Sequence, residues 1–567
     1  MQPKQAKPPT HVRPAGWRTV LVVAACAAAW SAQASEFDTG DADLRIRWDN
    51  TLKYSAAFRL KDPSAVQVTP GQNTVNTDDG DRNFGKGPVS NRLDWLTEFD
   101  LTYKDVGARV SGAAWYDTIY HRATDNTSPF TYNPASVPAT EFPDATGRLH
   151  GRKAELLDAF LFAKGDLAGV PYTIRLGRHA LVYGETLFFG MNGIAGAQQP
   201  IDVVKGLSVP STQFKELLRP VGQVSGQLQL NAAMSVGAYY QYRWDKSRLP
   251  GVGSYFSSVD FLDAGGERLF AGVDAHGLPV AFTHTRDHDA KNTGQGGLQF
   301  KWSPDGLGVD FGFYAARYHD KAPQVVLQPG TGTYSLFYHE GIRTYGVSAT
   351  TTVGEFNFSA EASVRHNAPL SNAGTADLYG LVPAAFGGPA APADNAGNPT
   401  YPVGRTAHLN LSMLASLGPS FITREASLIG EIALNRVTSI TRNAAMVDPN
   451  ARRDGAALRM VYEPSYRQVS SGLDLSVPVG IGYAPAGRSL ALGNAFGVHH
   501  GGDVSVGLNA TYESAWNASL SLTHYYGGEA TPTVVTHAPQ TAPQTAYTYG
   551  QALKDRDFLS LSIRRTF

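Results

Sequence analysis

"LRIRWDNTLKYSAAFRL", residues 44–60, decides the fold, because apolar and polar side chains alternate along its whole length. Leu44, Ile46, Trp48, Leu52, Tyr54, Ala56, Phe58 and Leu60 take the even positions, and Arg45, Arg47, Asp49, Lys53 and Arg59 stand among the odd ones. A two-residue period belongs to a β-strand, here with one apolar face and one charged face. A strand this long, with aromatics on one side and charges on the other, needs a different medium against each face.

The pattern recurs near 91–104, 107–120, 154–164, 170–182, 221–230, 233–246, 293–303, 308–319, 341–353, 355–366, 405–417, 421–436, 455–463, 467–481, 502–513, 516–527 and 556–567. That predicts about 18 strands, with 16 as the alternative, each near the roughly 9–11 residues that a tilted strand needs to cross a membrane. The connections carry more information than the strands. Short turns such as "KDVG" (104–107), "KGDLAG" (164–169), "SPDGLG" (303–308), "VGE" (353–355) and "LGPS" (417–420) alternate with long Gly-, Pro-, Asn- and Asp-rich gaps at 61–90, 121–153, 183–220, 247–292, 320–340, 367–404, 437–454, 482–501 and 528–555. A soluble sandwich has no reason to gather every long loop at one end, whereas an outer-membrane barrel does. The expected fold is all-β: one transmembrane antiparallel β-barrel with long outer loops, lipid against the apolar face and a polar lumen behind the other.

Tryptophan placement agrees, since its amphipathic ring favours membrane interfaces. Trp48, Trp302 and Trp516 fall near the short-turn strand ends and Trp95 and Trp244 near the outer ends, all on the apolar side, while Trp115 has the opposite parity. The chain closes with "DFLSLSIRRTF", in which Leu559, Leu561, Ile563 and the terminal Phe567 share one face, and Arg565 interrupts that face near the interface. An aromatic carboxyl terminus on a last strand is similar to the assembly signal of Gram-negative outer-membrane proteins.

Composition fits. Glycine at 59 and Tyr and Phe at 26 each suit a large sheet protein with many turns, and 42% hydrophobic residues exclude wholesale disorder. Mean hydropathy is −0.22, which excludes a helical membrane protein. Lys4, Lys7, Arg13 and Arg18 precede the apolar run "TVLVVAACAAAW" (19–30) and the small-x-small "AQA" (32–34), an export signal too short for a transmembrane anchor. The domain plan is a signal peptide at 1–34 and a single barrel at 35–567. Cys26 is the chain's one cysteine and lies inside the signal, which leaves the mature protein without disulfides or a thiol nucleophile. Removing four basic residues takes the net charge from −1 to −5, a balance that argues against nucleic acid as a partner.

Several stretches resemble a proteobacterial family catalogued as domain of unknown function thirteen hundred and two. They are the opening strand, "NTDDGDRNFGKGPVSNRLDWLTEFDL", "IRLGRHALVYGETLFF" (174–189), "LLRPVGQVSGQLQL" (217–230) and "YQYRWDKSRLPGVGSYFSSVDFL" (240–262). His179 and Tyr183 depart from the commoner Gln and Trp of that motif while keeping a polar-then-aromatic character. The resemblance implies a large outer-membrane barrel whose genes accompany lipid, sterol or aromatic-compound degradation and transport, and therefore traffic in poorly soluble molecules. It brings no catalytic residues and no cofactor.

By parity the lumen receives Arg45, Arg47, Asp49, Lys53, Glu98, Asp100, Arg109, Asp117, Arg175, Arg243, Glu361, Arg365, Glu425 and Glu431, charges that either pair across strands to hold register or orient a solute. Segment 183–220, "YGETLFFGMNGIAGAQQPIDVVKGLSVPSTQFKELLRP", is too apolar for an exposed loop and has helix-like pieces at 200–207 and 213–220. It is expected to fold inward and partly fill the lumen, held to the wall by Arg175 and Glu185; the alternative is an apolar surface cap. Phe188, Phe189 and Met191 then favour a greasy constriction, and Arg175, Lys205 and Arg219 an anion path. "NTDDGDRN" (76–83) has the acidic oxygens of a calcium loop but lacks its closing glutamate, so a solvated Asx turn is the default. The histidines of "HTRDHD" (284–289) and "HH" (499–500) lack further ligands at fixed spacing, so no metal is expected there. Ser521 and His524 have opposite parity, and no enzyme is expected. The reading is a passive outer-membrane channel or transfer protein for hydrophobic or amphipathic small molecules. Its expected partners are outer-membrane lipid, the solute, and a periplasmic carrier or inner-membrane transporter. The alternatives are a porin for polar or anionic solutes and a structural or adhesive surface barrel.

Overall fold

The computed structural model describes residues 35–71, 73–209, 212–273, 276, 279–536 and 544–567. The proposed signal peptide lies outside them. Eighteen antiparallel strands close into one barrel. They are β1 (Leu44–Arg59), β2 (Gly87–Tyr103), β3 (Val106–Asp117), β4 (Arg152–Leu167), β5 (Val170–His179), β6 (Val221–Asn231), β7 (Met234–Gln241), β8 (Gln295–Trp302), β9 (Val309–Tyr318), β10 (Ile342–Val353), β11 (Phe356–Pro369), β12 (Val403–Leu417), β13 (Glu425–Arg442), β14 (Asp454–Ser470), β15 (Leu473–Ser476 and Val479–Ala486), β16 (Gly501–Tyr512), β17 (Trp516–Tyr526) and β18 (Phe558–Thr566). The first and last strands seal the barrel, with Thr51 opposite Thr566 and Arg59 opposite Phe558. Asn50 and Phe567 exchange both backbone hydrogen bonds at 2.8 Å, and Ser35–Phe37 continues the seam along β1 below them. The carboxyl-terminal residue thus belongs to the closing ladder.

Alternation of the side chains gives the wall two surfaces. On β11, Phe358 and Val364 face outward and are exposed, while Glu361, Ser363 and Arg365 face inward and are buried. On β13, Ile432 and Leu434 face outward over an inward row of Glu431, Ala433 and Asn435. The same outer belt includes Trp95, Leu161, Leu176, Leu298, Phe313, Val347, Leu411, Leu522 and Ile563. A contiguous apolar band around a closed barrel, with polar groups inside, is the pattern of a wall set in hydrocarbon.

Two expectations on the wall are corrected. The turn after β14 is at 470–473, not 464–466: Pro464 stays in the ladder opposite Ala426, and the irregularity falls in β15 at Val477 and Pro478, where Pro cannot donate. Trp244 is not a membrane anchor. It lies beyond the end of β7, buried against Tyr338 with its indole N–H donating to Asp320 O at 3.0 Å. Trp115 does point inward, stacked by Arg92 and Arg248.

The long loops are folded. Five short strands (Arg268–Val273, Pro279–His284, Gln324–Gln328, Thr333–Phe337 and Thr375–Ala376) make a second sheet, and Trp244, Phe261, Tyr334, Leu336 and Tyr338 pack with it into a small core. The loop histidines serve packing: His284 stacks on Tyr334 and bonds Asp287 at 2.8 Å, and His499 packs on His500. Segment 76–83 is likewise not a solvated turn. It forms a short helix, Asp79–Arg82, whose Asp79, Gly80 and Asp81 are buried. Asp81 is locked between Arg59 and Arg556 at 3.0 and 2.7 Å, and both guanidinium groups hold its carboxyl below the usual range against the effect of burial. Burial and like charge do the opposite to Asp79 and Asp260, which stand well above the usual range, and burial takes Asp78 up to about 6.

Candidate functional site: a plug clamped across the lumen

Segment 183–220 leaves β5, crosses the lumen and docks on the far wall, so the inward-folded expectation holds. Its polypeptide turns at Gly184, where φ is +93°, a value open to glycine. Tyr183 seats the near end among Ile194, Tyr239 and Tyr314, and its backbone N–H donates to Gln198 Oε1 at 2.7 Å. A Cβ on Gly190 would run into the Phe214 ring, and Phe214 N–H donates to Leu187 O at 2.7 Å, which folds the segment back on itself. The helix-like pieces are real, at Val203–Ser208 and Phe214–Leu217.

Residues 185–194 are held by three wall side chains. Glu361 on β11 accepts from the backbone N–H of Glu185 at 2.7 Å and from that of Ile194. Glu431 on β13 accepts from Thr186 Oγ1 at 2.8 Å, Leu187 N at 3.2 Å, Phe189 N at 2.8 Å and Phe188 N. Arg365 donates to the carbonyls of Met191, Asn192 and Gly193 at 2.8, 3.0 and 2.8 Å. Successive backbone N–H groups make an anion nest; here the anion is a wall carboxylate. Asn192 is fully buried and completes the dock, donating to Asn410 Oδ1 at 2.8 Å and facing His408 Nδ1 at 2.9 Å. Glu361 and Glu431 are buried although they point into the barrel because the plug covers them.

Phe188, Phe189 and Met191 are half-buried on the plug, and Phe189 meets Phe496 of the β15–β16 loop edge-on at 5.7 Å. The expected pair of anchors is half right. Glu185 does tie the plug to the wall, but through Lys301 on β8 at 3.3 Å; Arg175 lies instead over the Phe160 ring at 5.6 Å. Lys205 turns back to Glu216 O at 2.9 Å within the plug, and Arg219 bonds Lys246 O at 2.7 Å and pairs with Asp245 at 3.5 Å, so both are engaged locally.

Many of the lumen charges pair with neighbours along the wall. Arg109 is bidentate on Asp100 at 2.6 and 2.7 Å, Arg47 meets Asp49 at 2.7 Å, and Asp49 sits opposite Glu98 in the ladder. Asp117 accepts from Ser90 Oγ and from the backbone N–H of Asn91 and Ile119, closing the end of β3. Glu425 is bound by Arg467, and Arg45 is exposed at the short-turn end. Arg243 lies past the end of β7 and lines a polar cavity of about 790 Å³ with Trp244, Lys246, Asp287 and Asp289. A second cavity of about 410 Å³ opens on the wall, lined by Asp100, Arg109, Asp158, Phe160, Arg175 and His179. It combines the rings of Phe160, Phe162 and His179 with two guanidinium groups, the Lys164 ammonium and two carboxylates. Sequence reasoning named most of these residues but not Lys301, Asn192, Asn410 or His408. A parity count over their strands was the one signal that could have found Lys301, Asn410 and His408. Ser521 and His524 stand on opposite faces of β17, and His524 bonds Asp557 at 2.6 Å.

Among solved structures the chain is similar to OccAB4 of Acinetobacter baumannii, at 11% identity over 94% of this chain and 99% of that chain, TM-score 0.41. It is also similar to OccAB1 of the same organism, at 10% identity over 94% and 98%, TM-score 0.39, and to Pseudomonas aeruginosa OpdK with vanillate, at 9% over 92% and 98%, TM-score 0.37. No curated protein matches the chain. The family model described as "Protein of unknown function (DUF1302)" matches residues 17–567, and the chain belongs to that family.

Proposed function

We propose that this protein is a passive outer-membrane channel of a Gram-negative bacterium for small amphipathic molecules of lipid, sterol or aromatic type, passed on to a periplasmic carrier or inner-membrane transporter. The observation that carries the reading is the plug, which Glu361, Arg365 and Glu431 clamp across the lumen with Phe188 and Phe189 half-buried on it. A polar wall with aromatic faces on the plug that crosses it suits a solute with an apolar body and a polar end. The wall cavity supports the same reading, since Phe160 offers a ring face and Arg109 and Arg175 offer positive charge. Those two arginines also favour a second reading, a porin for anionic solutes.

Uptake into proteoliposomes separates the two. Phe188→Asp with Phe189→Asp should lower entry of an aromatic or long-chain carboxylate severalfold and leave entry of acetate unchanged, with no rise in ion conductance. Equal loss for both solutes, or for neither, would refute the amphipathic reading.

A further inference from the structure

Three aspartates in the long loops lie outside the plug and its clamp. Asp78 and Asp79 belong to the β1–β2 loop and Asp260 to the β7–β8 loop. All three are fully buried, and one carboxylate oxygen from each lies within 4.8 Å of those of the other two. Each has its Oδ2 engaged: Asp78 with Arg82 at 2.5 Å, Asp79 with the backbone N–H of Asn133 at 3.2 Å, and Asp260 with the backbone N–H of Asp79 at 3.1 Å. The Oδ1 atoms of all three are buried without a hydrogen-bond partner. Arg82 is the one basic side chain hydrogen-bonded to the trio among the described residues.

Two asparagines, Asn133 and Asn83, are tied to Asp79 through their backbone N–H groups. Asn133 is fully buried, its amide nitrogen is used by Asn76 Oδ1 at 2.8 Å and Arg268 O at 2.9 Å, and its Oδ1 has no partner. Asn83, whose backbone N–H bonds Asp79 O at 3.0 Å, commits its amide nitrogen to Gly253 O and likewise keeps a bare, buried Oδ1. An unpaired polar group out of water is costly, and a cation shared by these oxygens would offset that cost.

We propose that Asp78, Asp79 and Asp260 bind calcium, with the amide oxygens of Asn133 and Asn83 as neutral ligands. The donor set is oxygen alone, which suits calcium or magnesium over the imidazole- and thiolate-seeking metals. Calcium bonds of about 2.3–2.6 Å let oxygens up to about 5 Å apart share one ion, and calcium tolerates irregular ligand sets that magnesium does not. The closing acid missing from "NTDDGDRN" is then Asp260, supplied from another loop. Asn133 comes from the β3–β4 loop, so the ion ties three loops together over the barrel end.

The test is calorimetric titration of the mature protein in detergent micelles with calcium chloride after chelator treatment, alongside its unfolding temperature in calcium and in EDTA. Saturable binding is expected, with a dissociation constant on the order of 10⁻⁴ M or tighter, and an unfolding temperature several degrees lower in EDTA that calcium restores. Asp260→Asn should abolish the calcium response yet equal or exceed wild type in EDTA, because it removes one charge from the crowded cluster. Absence of saturable heat in the wild type, or the same unfolding temperature in calcium and EDTA, overturns the site. Should the variant not fold, the wild-type titration decides.

Discussion

Replacing Glu431 with Ala removes the acceptor of four plug donors: the N–H groups of Leu187, Phe188 and Phe189 and the Thr186 hydroxyl. Hydrogen bonds to a charged acceptor contribute about 1.5–3 kcal/mol each, or about 6 kcal/mol for four at the low end. Lumen water can reach the freed donors, and the carboxylate's own burial cost disappears, so roughly half of that, about 3 kcal/mol, is the expected loss of anchoring. At about 1.4 kcal/mol per decade this raises the detached fraction of 186–189 about 100-fold. Glu361 and Arg365 still hold Glu185 and 191–194, so the barrel and the rest of the plug stay in place. The chain's sole cysteine is Cys26, in the proposed signal, which leaves a clean background for Phe188→Cys. With closing faster than reaction, labelling by a membrane-impermeant thiol reagent tracks the open population. The labelling rate of Phe188→Cys should therefore rise by up to about 100-fold in the Glu431→Ala background, with flickering added to single-channel records. Equal labelling rates and equal current noise in the two backgrounds would refute the clamp.

Deleting residues 190–212 should remove the plug's crossing and leave an aqueous hole, raising steady ion conductance and sensitivity to bulky polar antibiotics; unchanged conductance would mean that the segment does not restrict the lumen. Deleting Phe567, or changing it to Asp, should reduce the heat-modifiable barrel recovered from the outer membrane far more than Arg565→Asp. The Phe567 backbone closes the seam on Asn50, whereas Arg565 lies over Trp516 on the outer face; equal folded yields would show that the terminus is not part of closure.

The sequence by itself determined the wall. Each predicted strand has a counterpart, from Leu44–Arg59 to Phe558–Thr566, with only the turn expected at 464–466 moved to 470–473, because a two-residue period under lipid on one side sets which side chain faces which way. It pointed to the plug as well, since "GETLFFGM" is too apolar to remain in water, but left an apolar surface cap as the alternative, which the docking on Glu361, Arg365 and Glu431 decides. Parity also placed Glu361, Arg365 and Glu431 in the lumen, but as members of a long charge set with no rank among them. Only the tertiary structure selected those three, because their role depends on which backbone N–H and C=O groups reach them from 167 to 244 residues away in sequence. Trp244 and the acidic run at 76–83 were misread for the same reason. Each was assigned from its neighbours in sequence as though its loop stood in water, whereas the loops pack on one another, bury Trp244 beneath Tyr338 and bring Asp260 to Asp79. Local pattern fixes the face of a strand because the period acts residue by residue; long-range loop contacts have no period, and burial there is set by partners that only the closed chain brings together.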